Sequence, residues 1–237
     1  MLEFNWKYKS RPNNQCESRT ELKSVSTVKP VLQGDRQPCL KKHPGYRIYL
    51  IVLKKIRPHA SAKKEIAFRS AGVKYANKAD LISGNGASYF GGRWNPQSLR
   101  AIYGSLSVQT AVSESYQTFN KFGFDKKSIR PRVIAGFEFK VKSLLDLTDS
   151  SVRRKLGFSL TELLEEDWQA IQDQGEESWT QAIGRGAYRS GFQGLLVPSA
   201  RDRQGQNVVI YPDSIVTPSY IKLIAEDDLP PHPSDWP

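Results

Sequence analysis

Histidine and cysteine are scarce in this 237-residue chain, with three of the first and two of the second. His43, His59 and His232 lie toward the two ends, and Cys16 and Cys39 stand far apart in a poorly patterned stretch. Such numbers and spacings make neither a disulfide framework nor a metal site. A Ser-His-Asp triad has no central histidine to build on. No apolar run reaches the 18 residues that a membrane-spanning helix needs, and the N-terminal stretch has no apolar signal region. The expectation is a cytoplasmic protein that works without a metal.

Acidic residues are also few at one end. Residues 1–80 hold 18 Lys and Arg against 6 Asp and Glu, whereas the remaining 157 hold 17 against 18. The net charge of +11 therefore belongs to the first third of the chain. Hydrophobic residues make up 38% of the whole, slightly low for a compact chain. Together these point to a basic, flexible N-terminal arm over 1–45, a folded domain over 46–226, and a proline-rich C-terminal tail over 227–237.

The domain reads as α+β, with mixed or antiparallel sheets and flanking helices. Tyr46 to Lys54 are β-branched and aromatic and predict a first strand, bounded by Gly45 and Pro58. A second extended segment falls around Ile66 to Arg69, followed by a long Asn/Gly/Ser-rich loop to Asn95. Ala101 to Tyr103 predict a short strand. Residues 107–119 predict an amphipathic helix, capped by Ser105 or Ser107, with Val108, Ala111, Val112, Ser115, Tyr116 and Phe119 on one stripe. Arg132 to Val141 alternate as a strand, and Leu144 to Leu147 extend it. Helices are expected over 150–157, over 159–173 from a Ser159/Glu162 capping box, and over 180–189. Gly194 to Ser199, Asn207 to Tyr211 and Ser219 to Ile224 read as late strands.

The densest chemical signal is Gly91-Gly92-Arg93-Trp94-Asn95-Pro96. A glycine pair lets the backbone turn tightly and come close to another group. Arg93 adds a planar, permanently charged fork suited to phosphate or carboxylate. Tyr103 follows on the short strand. Glu114 lies well off the middle of the apolar stripe of its helix, which aims it either at solvent or into a roofed cleft. Ser199 ends an apolar strand, and Asn207 starts the next, where its amide could tie the turn between them.

Taken in order, Gly-Gly-Arg-Trp-Asn, the Tyr, the Glu and the late Val-Pro-Ser before Asn207 resemble the RES domain family, named for its Arg, Glu and Ser. The matching residues are Arg93, Tyr103, Glu114 and Ser199, supported by Arg69, Trp168, Gly184 and the stretch from Asn207 to Pro212. The likeness spans roughly residues 46–215. It implies a fold similar to ADP-ribosyltransferases and an NAD-degrading toxin of a bacterial toxin–antitoxin pair. NAD would be the substrate rather than a cofactor, and inorganic phosphate or water the acceptor. The implied partner is a helix-turn-helix antitoxin through which the pair meets DNA; a homodimer stays open. On this resemblance Arg93 would grip pyrophosphate or an attacking phosphate, with Arg69 as a second ligand. Glu114 would hold the ribose and its developing positive charge, Tyr103 would face the nicotinamide end, and Ser199 and Asn207 would contact substrate oxygens.

The chemistry is compatible with that set. Cleaving the nicotinamide–ribose bond passes through an oxocarbenium-like centre. Nicotinamide leaves from a cationic state, so no acid need protonate it, and the missing central histidine costs nothing. Two other readings stay open. One is ADP-ribosyl transfer to a macromolecule, which Val112-Ser113-Glu114 disfavours by having no second carboxylate or amide two residues before Glu114. The other is a catalytically silent module whose arm, with Trp6, Lys7, Tyr8 and Lys9 interleaved, holds nucleic acid.

Overall fold

The computed structural model describes residues 46–121 and 132–229. The basic arm read at 1–45, and all but the first residues of the tail read at 227–237, lie outside them. In chain order the elements are α1 (Tyr46–Ile56), β1 (Ser61–Gly72), α2 (Lys78–Leu81), α3 (Asn85–Phe90), β2 (Ile102–Ser105) and α4 (Val108–Lys121). Then come β3 (Arg132–Asp146), α5 (Ser150–Leu156), α6 (Leu160–Glu165), α7 (Trp168–Asp173), α8 (Trp179–Arg189), β4 (Gly194–Pro198), β5 (Gln206–Ile210) and β6 (Tyr220–Leu223). The α+β expectation holds.

The six strands run in the order β1-β2-β5-β4-β3-β6, and β1 also pairs with β3, so the sheet closes on itself. It is mixed, because β3 and β4 are parallel while the other pairings are antiparallel. The β1–β3 ladder is long, running from Ser61 opposite Leu144 to Gly72 opposite Arg132. The β1–β2 pairing is minimal, with Phe68 opposite Ser105 as its one registered pair. The sheet is thus tightly laced on one side of β1 and barely joined on the other.

Alternation divides β4 and β5 between two cores. Leu195, Val197, Val209 and Tyr211 join the helices in a cluster with Leu53, Trp94, Leu163 and Ile183. Val208 and Ile210 face the other way, against Ala67, Ile102, Phe137 and Leu144. Burial on both faces explains why these strands read as continuous apolar runs instead of alternating ones.

Three expectations are corrected. The stretch from Tyr46, read as a strand, is the helix α1. A short apolar run does not distinguish strand from helix. What decides here is that Leu53 and Ile56, three apart, are buried against α5 and α8 while Ile51, Lys54 and Lys55 face outward. The helix read over 159–173 is two helices. The Ser159/Glu162 capping box opens α6 as expected, but Asp167 caps a new helix that starts at Trp168, accepting the Ala170 N–H, and the Glu166 carboxylate between them turns away to α8. Finally, the long loop to Asn95 contains α2 and α3.

The orientation of α4 also differs from its apolar stripe. Val108 and Tyr116 are exposed, whereas Thr110 and Ala111 are buried. Ser107 receives the Thr110 N–H as the expected cap. The inward face is therefore the small, polar one, against β1 and β2. That rotation brings Glu114 inward.

Candidate active site

The Gly91–Asn95 turn is built almost entirely from saturated hydrogen bonds. Gly91 has φ +74°, a conformation that favours glycine. Gly92 pairs with Asn95 across the turn, and a Cβ on Gly92 would come within 2.6 Å of the Tyr103 hydroxyl. Asn95 is fully buried, and its amide donates to the carbonyls of Ala87, Pro96 and Leu99 at 2.8–3.1 Å. Its Oδ1 accepts the Tyr103 hydroxyl at 2.7 Å, and that hydroxyl accepts the Trp94 N–H at 2.9 Å. Burial pushes the Tyr103 phenol above its ordinary range, so it stays a hydrogen-bond donor.

The turn is also pinned from outside. Arg93 Nη1 donates to the carbonyls of Leu163 at 2.9 Å and Glu166 at 3.0 Å, at the junction of α6 and α7. The Glu166 carboxylate in turn accepts the N–H groups of Trp179 and Thr180, at the start of α8, where a negative charge is favoured. Burial lowers the Arg93 pKa from its ordinary value; Glu166 opposes this, Arg201 adds to it, and Glu114 and Tyr103 oppose it further. The buried Tyr211 hydroxyl donates to Gly184 at 3.0 Å and reaches the Trp94 carbonyl at 3.4 Å. A side chain on Gly184 would collide with that carbonyl, which accounts for a glycine inside α8.

Beside the turn lies a cleft of about 260 Å³. It opens where β1 and β2 part after their single pair, with Arg69 and Ser70 on one strand and Tyr103 and Gly104 on the other. Gly104 has no room for a Cβ, which would meet the Phe137 ring at 2.6 Å. Glu114 and Ser115 line the cleft from α4, and Asn207 lines it from β5.

Glu114 is held by two donors on one oxygen. The Ser199 hydroxyl donates to Oε1 at 2.5 Å and the Asn207 amide at 2.7 Å. Both donors are themselves fixed: Ser199 Oγ accepts the N–H groups of Arg201 and Asp202, and Asn207 Oδ1 accepts the Ser105 hydroxyl at 2.7 Å. The carboxylate is thus presented at a set position on the cleft wall. Nearby, burial lowers the Arg69 pKa from its ordinary value, with Tyr103 and Asp80 opposing and Arg132 reinforcing the effect.

The residues singled out in the sequence separate into two groups. Glu114, Asn207, Tyr103 and Arg69 line the cleft. Ser199 reaches it through Glu114, and Arg93 is engaged with main-chain carbonyls behind the turn. Trp168 opens α7 and Gly184 packs against the turn, both away from the cleft lining. Sequence reasoning named Asn95, Ser105 and Arg132 only in passing and gave none of them a place in the site. An Asn just before a Pro in a glycine turn was a usable signal for the first; Ser105 and Arg132 become legible only through strand pairing. Among the described residues no group of three or more His, Cys, Asp or Glu is placed to hold a metal ion, and no helix is long and apolar enough to cross a membrane.

A closed mixed sheet, with a fixed carboxylate and two arginines lining one cleft, defines an α+β protein with a polar cleft among its described residues. Residues 66–229 match the RES domain profile, and the chain belongs to that family. It is similar to the NAD(+) phosphorylase MbcT of Mycobacterium tuberculosis and of Mycobacterium bovis, at 32% identity over 124 residues. The match covers 51% of this chain and 62% of each relative, so the chain spans about six-tenths of their length. It is also similar to a chain in the crystal structure of the M. tuberculosis MbcT–MbcA toxin–antitoxin complex. There the TM-score is 0.57 at 26% identity, covering 73% of this chain and 89% of that one.

Proposed function

We propose that this protein consumes NAD, breaking the bond between nicotinamide and the adjoining ribose and passing the ADP-ribosyl group to inorganic phosphate or water. The observation that carries the reading is the Glu114 carboxylate, fixed by Ser199 and Asn207 on the wall of a cleft that also holds Arg69. Similarity to NAD(+) phosphorylases supports phosphate as the acceptor.

In this reading the C1–N bond of the ribose breaks, and nicotinamide departs neutral with the bonding electron pair. A phosphate oxygen bonds to the same carbon. No proton is needed on the leaving group, so the site requires no acid. Glu114 stabilises the positive centre as the bond opens, because a charge already fixed in position needs no reorganisation at the moment of reaction. Ser199 and Asn207 hold Glu114 in place and act through it. Arg69 offers a guanidinium to phosphate oxygens. Tyr103 lines the wall at the nicotinamide end. Arg93 adds positive charge nearby while its Nη1 anchors the turn.

The biological role is that of a toxin, held in check by a partner that covers the cleft. The toxin–antitoxin complex of the similar structure supports a protein antitoxin. The helix-turn-helix class of that partner, and contact with DNA through it, are part of the same proposal.

The test is NAD loss by the purified chain, with and without inorganic phosphate, with the products identified. A phosphate-dependent phosphorylated ADP-ribose makes it a phosphorylase; free ADP-ribose makes it a glycohydrolase. A folded, partner-free protein that leaves NAD intact overturns the reading.

A further inference from the structure

Arg132 begins β3, opposite Gly72 in the long β1–β3 ladder, and is not among the residues that the family resemblance selects. Its position is nevertheless well defined. Nε donates to Ser70 Oγ at 2.8 Å and Nη2 donates to the Ser70 carbonyl at 3.0 Å. Ser70 Oγ lies 3.0 Å from Ser115 Oγ on α4. Arg132, Ser70 and Ser115 come from three elements and all line the cleft.

Arg69 lines the same cleft from β1, with its Nη1 buried and without a hydrogen-bond partner. A buried donor left unmatched carries a real cost, and in a polar cleft a ligand oxygen is one way to meet it. Burial is what chiefly disfavours the charged Arg69, and the like charge of Arg132 adds a smaller effect in the same direction. The acidic residue among those lining the cleft is Glu114, whose Oε1 already takes two donors. Among the described residues, the lining holds two guanidiniums and one carboxylate.

We propose that Arg69 and Arg132 form a two-arginine clamp for phosphoryl oxygens, with Arg69 at its inner end and Arg132 at its exposed mouth. This rests on the reading of the cleft as an NAD site and deepens it by naming Arg132 as a substrate-contacting residue. The oxygens belong either to inorganic phosphate or to the diphosphate of the ADP-ribosyl group. Ser70 keeps the Arg132 fork oriented, so that little side-chain freedom is lost when the anion arrives.

Calorimetric titration of wild type and Arg132→Gln with inorganic phosphate alone, and with ADP-ribose alone, tests the clamp without relying on catalysis. The glutamine variant is expected to lose on the order of tenfold to a hundredfold in affinity for one of the two. Loss confined to phosphate places Arg132 at the acceptor; loss confined to ADP-ribose places it at the diphosphate. Arg132→Lys keeps the charge without the fork and is expected to fall between. Unchanged affinity for both anions in Arg132→Gln, or no binding of either by wild type, overturns the proposal. Intact NAD alongside a normal loss of anion binding overturns the catalytic reading and leaves the clamp standing.

Discussion

The Gly91–Tyr103 turn and the Glu114 cleft share a wall, yet they treat their polar groups in opposite ways. In the turn, Asn95 matches its amide to three carbonyls and its oxygen to the Tyr103 hydroxyl. In the cleft, Arg69 keeps a buried nitrogen without a partner. Saturation makes a rigid scaffold, whereas an unmatched buried donor in a cleft leaves hydrogen-bonding capacity that a bound anion could use. The contrast separates what the family's named residues do. Arg93 is spent largely on the scaffold, whereas Glu114 is presented to the cleft.

The largest expected effect falls on the cleft side. Glu114→Gln keeps the size of the side chain and removes the charge, so NAD turnover should fall by about a hundredfold to a thousandfold. Its unfolding midpoint should stay close to wild type, because Ser199 can still donate to the amide oxygen. Retained turnover would remove Glu114 from the proposed chemistry. A large drop in stability would instead move it to the scaffold.

Asn95→Ala should show the reverse pattern. It strips partners from three carbonyls and from the Tyr103 hydroxyl in a fully buried setting. Denaturant unfolding should reveal a loss of about 2–4 kcal/mol. Gly184→Ala acts on the same scaffold from the α8 side, where the added methyl must displace the Trp94 carbonyl. A loss of about 1–3 kcal/mol is expected, characteristic of overpacking. Wild-type stability in both variants would mean that the turn is not the rigid element inferred from its hydrogen bonds.

How legible these two regions were depends on the distance over which their contacts act. The capping box at Ser159, the strand ending at Pro198 and the glycine turn are local patterns, and each was readable. The α+β class followed from them. Tyr46 to Lys54 misled because β-branched composition and an apolar run fit either element, and only docking against α5 and α8 selects the helix. The facing of α4 misled for a related reason. Its apolar residues Val108 and Tyr116 are exposed, while the small Ser115 and Ala111 let β1 approach closely. Glu114 could be singled out by the family pattern, but its inward aim could not. The part of Arg132 in the site was invisible, since its place beside Ser70 is set by a strand register spanning 62 positions of sequence.

Tyr103 belongs to both regions, and its smallest substitution is the sharpest probe of the boundary between them. Tyr103→Phe removes one oxygen, leaving the Trp94 N–H and Asn95 Oδ1 without their shared partner. The ring still lines the cleft. A stability loss of about 1–2 kcal/mol is expected from the unmatched pair alone. If the hydroxyl serves only the turn, the KM for NAD should stay within a few-fold of wild type and kcat should follow the folded fraction. If it also meets the substrate, kcat/KM should fall well beyond what the measured instability explains. The geometry favours the first outcome, because both hydrogen bonds of the hydroxyl point into the turn and burial keeps its proton in place.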